Sequence, residues 1–479
     1  AYNYTNIAAA IDVPSVVDHA KNLEGVSHAE ENLFSCSADS LKHVAETIKE
    51  KDMNRVVVAA CTPRTHEPIF QDTLREAGLN PYLFEMTNIR EHCSWVHEEK
   101  NKANEKAKEL ISMAVAKAKL LQPLKLFSLP VVPTGLVLGA GIAGMVSALS
   151  LAKQGFKAYL VEKESELGGI ARRLHFTLEG NNVQTFLSDL IRQVHESPLI
   201  QVFTQAEVKE VSGWVGNFST KILLKTCGEE QEIRHGAFIV ATGGEEYKPK
   251  DYLYGEDHRV MTLLELEEAI SQREPKLEDC HTLGMILCVG SRDEERRYCS
   301  RVCCSQAVKC ALKLKEINPE MGIYILNRDM MTYGLKEIYY REARNRGVIF
   351  IRFDPEDKPK VDIAEEGSLR ILVKDTTLGK RLAIDTDILA LGTAVIPASG
   401  NEDLSRMLKV PLDRDGFFLE AHIKLRPVDF ASDAIFMCGL CHSPKHIEES
   451  IVQAQAAASR ASTILSQKEI QREGPGNHN

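Results

Sequence analysis

Thr134-Gly135-Leu136-Val137-Leu138-Gly139-Ala140-Gly141-Ile142-Ala143-Gly144 is the stretch on which the reading of this chain turns. A short apolar run ends in G-x-G-x-x-G and passes into a helical pattern over Met145–Gln154. Gly139 permits a tight turn, Gly141 lets the backbone approach a pyrophosphate, and Gly144 lets helix and strand pack closely. The helix N-terminus adds amide donors and a partial positive charge. After the turn at Gly155 a second strand, Lys157–Val161, ends at Glu162, where a carboxylate can accept from ribose hydroxyls. A glycine turn in an unrelated α/β unit is the plainer alternative. Strand, helix, second strand and acid in that order argue for a dinucleotide-binding fold.

Outward from this motif, 479 residues make room for about three domains. Hydrophobic residues are 44% and charged ones 26%, the balance of a globular protein with sizeable cores. The 58 Lys+Arg against 68 Asp+Glu leave a net charge of −10, which gives no electrostatic reason to expect nucleic acid or an anionic membrane as partner. No apolar run reaches the ~18 residues of a spanning helix and no signal peptide is recognisable, so membrane insertion is not expected and the expected location is cytoplasmic. The absence of an initiator Met suggests that the natural N-terminus lies upstream.

Residues 1–122 read as a small α/β domain. Helical patterns cover 14–22, 38–50 and Ala103–Leu121, and strands are expected at Glu31–Ser35, Arg55–Ala60 and Pro81–Met86. Three prolines between Gln122 and Pro133 make that stretch a connector. The tail over 468–479 is polar and expected to fray.

Glu162-Lys163 followed by Gly168-Gly169, the strand end Phe238-Ile239-Val240-Ala241-Thr242-Gly243, the similar Asp387–Thr393, and Asp433–Gly439 together resemble the two-dinucleotide-binding-domain, thioredoxin-reductase-like flavoproteins. The resemblance implies FAD against Gly139, Gly141, Ala143, Gly144, Glu162, Lys163, Gly168, Gly169, Ala241, Thr242, Gly243, Gly392 and Gly439. It divides the chain into a split FAD domain, 134–254 and 381–467, around an inserted Rossmann-like domain, 255–380. Leu440 stands where these flavoproteins usually carry an Asp that bonds the ribityl chain. The helical pattern from Ile447 would turn its positive end towards the isoalloxazine.

In the insert the strand Leu283–Gly290 should be followed by a second glycine-rich turn for a nicotinamide cofactor. Instead the chain reads Ser291-Arg292-Asp293-Glu294-Glu295-Arg296-Arg297-Tyr298-Cys299-Ser300-Arg301-Val302-Cys303-Cys304. With Cys288 this is C-x10-C-x3-C-C, four thiols, the number that a [4Fe–4S] cluster requires. A zinc site, a disulfide and buried structural cysteines are the alternatives. Zinc favours C-x2-4-C pairs, and a reducing compartment disfavours a disulfide.

The segment Cys288–Arg292 with Tyr298–Ser305, together with Cys61–Pro68, Asn88–His97, Leu326–Asp329, Thr332–Gly334 and Phe353–Pro359, resembles the A-type, iron–sulfur flavoprotein component of heterodisulfide reductase over nearly the whole chain. The related flavoprotein subunits of quinone-interacting membrane-bound oxidoreductases are its outer circle. The form here is short, with no C-x2-C-x2-C-x3-C-P ferredoxin module. The resemblance implies an oxidoreductase subunit with FAD and an iron–sulfur cluster, relaying or bifurcating electrons within a larger complex. Implied partners are the other subunits, ferredoxin, and hydrogenase- or formate-dehydrogenase-type donors, with a homodimer inside the complex. It also implies Lys309 as a neighbour of flavin N5, against the alternative of a solvated lysine. Cys36, Cys61 and Cys93 each follow an expected strand and are candidates for a second cluster, with buried structural thiols as the alternative. Cys438 and Cys441 form C-x-x-C, either a redox dithiol or an incidental pair. Two rival readings are an NAD(P)H-dependent disulfide reductase and a zinc-stapled flavin scaffold.

Overall fold

Alternating apolar strands and amphipathic helices fold the chain into two compact units, and the computed structural model describes residues 7–474. The described part of the first unit runs to Leu129 and takes in Ala421–Arg426 and Gln471–Gly474. The second is Pro130–Glu420 with Pro427–Ile470.

In the first unit a parallel pair, Val56–Ala60 and Phe84–Asn88, packs among the helices Val13–Lys21, Ala38–Glu50, Pro63–Ala77 and Lys100–Leu120. Asp12, Ser37 and Thr62 accept from backbone N–H groups in the first turns of the first three helices, satisfying donors that have no partner within the helix. Pro63 opens its helix at a position where no N–H is needed. The expected strand at Glu31–Ser35 does not form. Its two apolar side chains, Leu33 and Phe34, are 61% and 40% exposed, so a strand there would bury nothing. The expected strand at Pro81–Met86 begins later, at Phe84. Within the connector Lys125–Pro130 is a strand, and it pairs with Glu469–Gly474, so part of the tail is ordered as well. Ladder bonds satisfy backbone groups whatever the side chains are, and Pro130 at a strand end removes no interior bond.

The second unit uses one topology twice. Its first sheet runs Ile435–Met437, Ala237–Val240, Thr134–Leu138, Lys157–Val161, Ile200–Phe203, parallel throughout. The second runs Val260–Thr262, Ile388–Thr393, Thr282–Val289, Gly322–Asn327, Ile349–Arg352, again all parallel. Each is accompanied by a three-stranded antiparallel sheet, and the two halves are joined by the antiparallel pair Gly244–Glu246 and Val395–Pro397. The strands Lys380–Thr386 and Ile388–Thr393 belong to the insert's sheets, so the insert extends past 380, to 393. Asp387 marks the join: its Oδ2 accepts from the backbone N–H groups of His281 and Thr282, locking the start of the neighbouring strand.

His235 turns the chain into the strand Ala237–Val240. Its Nδ1–H donates to Ala237 O at 3.0 Å, so Nε2 is the acceptor, taking the Thr220 hydroxyl at 2.8 Å. Burial between Phe218 and Phe238 pushes this imidazole down to about 4. The unfolded chain therefore binds the proton first as pH falls, and stability is lost between the ordinary histidine value and about 4. From about pH 7 to about pH 5 this one group should remove roughly 2 kcal/mol. Urea unfolding of the wild type against His235→Phe checks it: the variant should lose that part of the acid slope.

Candidate flavin and thiol site

The first turn of the first sheet is built by what three glycines lack. A Cβ on Gly139, whose φ is +101°, would stand 2.3 Å from Ala241 O. One on Gly144 would stand 1.8 Å from Gly139 O. A Cβ on Gly141 would meet nothing within 4 Å, so a cradle is left open at the start of the helix Ile142–Lys153. Glu162 is buried beside it: Oε2 accepts from Ala140 N–H at 2.6 Å and Oε1 from Glu164 N–H at 3.0 Å. Gly168 bridges to Gly141, and both Gly168 and Gly169 adopt positive φ. Gly243 leaves open space at φ +78°, while Thr242 donates to Asn401 Oδ1. Gly439 packs against Ala143, and its N–H donates to Gln453 Oε1 at 2.9 Å. The structure thus gathers most of the sequence-predicted residues on one sheet edge. Lys163 is exposed, and Gly392 lies in the insert's sheet, packed on Leu287.

Between this edge and the insert lies a cavity walled by Ile170, Phe176, Val395, Leu440 and Ile447. Four buried polar atoms in its lining have no hydrogen-bond partner among the described residues: Glu246 Oε1, Ser305 Oγ, Gln306 Nε2 and His446 Nε2. Buried polar groups are almost always satisfied, so an apolar slot with unmet polar atoms fits a flat, polar-edged ring system. With the open cradle at Gly141, the residues present fit FAD.

Lys309 lines the same cavity and is largely enclosed, with its side chain 10% exposed. Its ammonium bonds Phe176 O at 2.6 Å and pairs with Glu267 at 2.8 Å. Glu267 is fully buried and escaped the sequence reading, as did Lys445. Lys445 donates to Gly439 O at 2.7 Å and Ser443 O at 2.9 Å, and makes no ion pair among the described residues. Burial brings it down to about 8. The dipeptide Pro444-Lys445 ahead of a helix N-terminus was the available signal. His446 caps the helix Ile447–Leu465 in a reciprocal box with Glu449.

The four insert thiols come from a strained strand end and the helix that follows. Cys288 interrupts the register between Thr282–Val289 and Ile388–Thr393 and has φ +63°. Such a bulge re-aims one side chain out of the alternation. Arg292 and Arg301, in the loop beyond, also have positive φ. Non-glycine residues held there carry strain that the surroundings must impose. Cys303 and Cys304 open the helix Cys303–Ile317, and Arg301 N–H donates to Cys299 Sγ at 3.3 Å. Cys288 and Cys303 each interact electrostatically with the other three cysteines or two of them, so the set is brought into one neighbourhood. Burial pushes Cys288 up to about 11, opposed by Arg292 and Arg328. The Cys303 thiol bonding Cys304 lowers the latter and raises its own value. Among the described residues no three His, Cys, Asp or Glu form a group placed to hold a metal ion.

In the first unit the three candidate thiols part company. Cys61, half-buried at the end of Val56–Ala60, lies 3.3 Å from His66 Nδ1 and in electrostatic range of Cys36. Cys93 is turned into the core with Ile7, Ile11 and Ala107, where its thiol donates to Ala103 O at 3.1 Å. The expected three-thiol group is therefore not assembled: the strand before Cys36 is missing, and apolar packing claims Cys93. Cys438 and Cys441 are both buried, but their thiols go to different partners. Cys438 meets Ser147, and Cys441 meets the carbonyls of Val240 and Cys438. Burial raises both, which is the opposite of an activated dithiol.

Comparison with known proteins agrees with this layout. The pyridine nucleotide-disulphide oxidoreductase family model matches residues 134–461. An A-type iron-sulfur subunit of CoB--CoM heterodisulfide reductase from Methanopyrus kandleri is 36% identical, over 97% of this chain and 85% of that protein. The A-type component of H(2):CoB-CoM heterodisulfide,ferredoxin reductase from Methanothermobacter marburgensis is 35% identical, over 97% and 84%. A protein of Archaeoglobus profundus, itself described as like the A-type component of heterodisulfide reductase, is 33% identical, over 96% and 84%. Among solved structures, thioredoxin reductase from T. acidophilum superposes with a TM-score of 0.48 at 14% identity, over 70% of this chain and 98% of that one. With a pair of dinucleotide folds following an N-terminal unit, the chain belongs to the A-type heterodisulfide reductase family of flavoprotein oxidoreductases.

Proposed function

We propose that this protein is the electron-transfer subunit of a heterodisulfide-reductase-like complex, holding FAD between the glycine turn at Gly141 and the cavity lined by Ile170, Phe176 and Leu440, and a [4Fe–4S] cluster on Cys288, Cys299, Cys303 and Cys304. One observation carries the reading. The helix Cys303–Ile317 begins with two of the thiols and, within its next turn, sends Ser305, Gln306 and Lys309 to the wall of the flavin cavity. The four thiolates would each take a different iron, so they need not converge on one point as the ligands of a single ion must. When bound, FAD exchanges electrons in pairs or singly, and a cluster carries them one at a time.

The chain's own residues set the conditions for that exchange. Glu267 fixes Lys309 and, through Oε1, accepts the His175 N–H at 2.7 Å, so the cysteine helix is tied to the segment behind Gly169. Arg301 spans from the thiol loop to Glu449 at 2.6 Å and to Pro444 O at 3.2 Å. The Arg301 amide donates to a sulfur, a contact of the kind that raises cluster potentials. Lys445 places a cation in the cavity wall. The donors and acceptors in the relatives' names support the wider assignment. The Methanothermobacter protein is named for H2, heterodisulfide and ferredoxin, and one from Methanococcus maripaludis adds formate. One donor set against two acceptors supports electron bifurcation at this flavin.

Metal analysis and EPR of anaerobically purified protein test the cluster. About four irons per chain and a reducible cluster signal are expected, both lost in Cys303→Ser and Cys304→Ser with FAD retained. Zinc in place of iron would replace the reading with a structural staple. Flavin bleaching by NADPH alone would replace it with a nicotinamide-dependent reductase.

Lys445 gives a second test. Its ammonium favours added negative charge in the cavity and is lost as pH rises through about 8. The flavin potential should therefore fall more steeply with pH across that value in the wild type. In Lys445→Met it should run straight and lie lower at neutral pH, by roughly 30 mV if the cation contributes about 1.4 kcal/mol to a two-electron couple. Spectroelectrochemical titration on either side of pH 8 reads both.

A further inference from the structure

The helix Ile447–Leu465 starts from an uncommon cap. Ser, Thr, Asp and Asn are favoured at that position, because a short side-chain acceptor reaches the amides of the first turn. Here His446 occupies it. Its imidazole accepts from the Glu449 N–H, while Glu449 Oε2 accepts from the His446 N–H at 2.8 Å. Nε2 is buried and has no hydrogen-bond partner among the described residues, so the ring nitrogen that takes the Glu449 N–H is Nδ1. A neutral imidazole carries a proton on one nitrogen and a lone pair on the other. With Nδ1 the acceptor, the proton sits on Nε2. That N–H is a donor without an acceptor, and it belongs to a residue in the wall of the flavin cavity.

The same cap keeps the ring uncharged. An imidazolium needs a proton on Nδ1, which would set one N–H against another in the first turn and break the cap. Burial also lowers His446, and the cations of Lys336 and Arg301 act in the same direction, against the carboxylates of Glu448 and Glu449. Above the ordinary histidine value of about 6.5 the ring is therefore a neutral donor. Charge in this cavity wall is carried instead by Lys309, Lys445 and Glu246. An unmet buried donor is costly, and an occupant that brings an acceptor atom removes that cost.

Resting on the assignment of this cavity to FAD, we infer that His446 donates a hydrogen bond through Nε2–H to the ring system of the flavin, and that this bond favours the reduced form without adding charge. Reduction places negative charge on acceptor atoms of the ring system. A hydrogen bond to a charged acceptor is roughly twice as strong as one to a neutral acceptor, so the bond tightens when electrons arrive. No proton leaves the imidazole in this role. The electrons come from partner subunits, and the cap at Nδ1 holds the donor in place before and after. A purely local duty as helix cap is the competing account.

The test compares the FAD-loaded full chain with His446→Ser. Serine is a favoured cap, so the first turn keeps its acceptor and only the reach into the cavity is lost. In a spectroelectrochemical titration the reduced-to-oxidised flavin ratio at a fixed potential should fall about tenfold, roughly 30 mV for a two-electron couple. The displacement should be constant from about pH 7 to about pH 9, since a neutral donor does not titrate there. That of Lys445→Met should shrink as pH rises through about 8. Nitrogen NMR of labelled histidine side chains gives a second measurement on the wild type. The resonance missing from His446→Ser should show its proton on Nε2 and should move when FAD is added to the apoprotein. An unmoved resonance on FAD binding, or an unmoved potential in His446→Ser, overturns the inference and leaves the flavin assignment standing. A displacement that grows towards low pH would make the ring a cation and overturns the neutral role. Failure of the wild type to bind FAD overturns the flavin assignment and the inference with it.

Discussion

The distance between Gly144 and the carbonyl of Gly139 governs this molecule. A side-chain carbon at Gly144 would lie 1.8 Å from that oxygen, and one at Gly139 would lie 2.3 Å from Ala241 O. Helix, turn and the neighbouring strand can therefore share one corner only if neither position has a Cβ. A helical glycine costs about 1 kcal/mol relative to alanine. What results is a turn tight enough to leave Gly141 open at a helix N-terminus, with Glu162 and Gly168 fixed around it. This strand lies at the centre of its sheet, with Ala237–Val240 and Lys157–Val161 on either side, so displacing it would displace both neighbours.

The insert repeats the sheet but not the corner. Its own strand-end glycine, Gly290, has φ +72°, yet a Cβ there would sit 2.3 Å from the ring of Tyr247. Arg296 also stacks on that ring, 4.5 Å from its centre. The space that stays open at Gly141 is filled at Gly290 by an aromatic side chain. The strand before it carries the bulged Cys288, and the loop after it holds Arg292 and Arg301 at positive φ. Local conformation here aims the Cys288 sulfur and stacks an arginine on Tyr247, where the first sheet has an open glycine turn.

The legible parts of this chain are those whose cause is local. Gly139, Gly141, Gly144 and Glu162 can be read because close approach and a strand-end acid depend on short stretches of chain. The first-unit helices at 13–21, 38–50 and 100–120 show in composition and period. The helix Pro63–Ala77 does not: its two prolines suggest a break, whereas Pro63 occupies the first turn and the chain tolerates Pro68 within it. The end of the insert cannot be placed from sequence because Asp387–Thr393 reads as a strand equally well in either sheet, and only the pairing with Thr282–Val289 assigns it. Cys93 has the pattern of a ligand but the surroundings of a core residue, a difference set by contacts with Ala103 and Ile7 across the unit.

Lys309 is held in the cavity wall by a partner that its position after the cysteines does not disclose. Its ammonium is paired with Glu267, which is fully buried, and removing either member would strand a charge and cost several kcal/mol. Glu267 Oε1 also accepts from the backbone N–H groups of His175 and Phe176, so the pair clamps the cysteine helix, the helix Leu263–Gln272 and the strap behind Gly169. A cation neutralised in this way projects little field into the cavity. Lys445 has carbonyls and a hydroxyl for partners but no carboxylate bonded to it, and burial brings it to about 8. Lys445 is thus a cavity cation with no carboxylate bonded to it among the described residues, and the Lys309–Glu267 pair holds the thiol-bearing helix against the cavity wall.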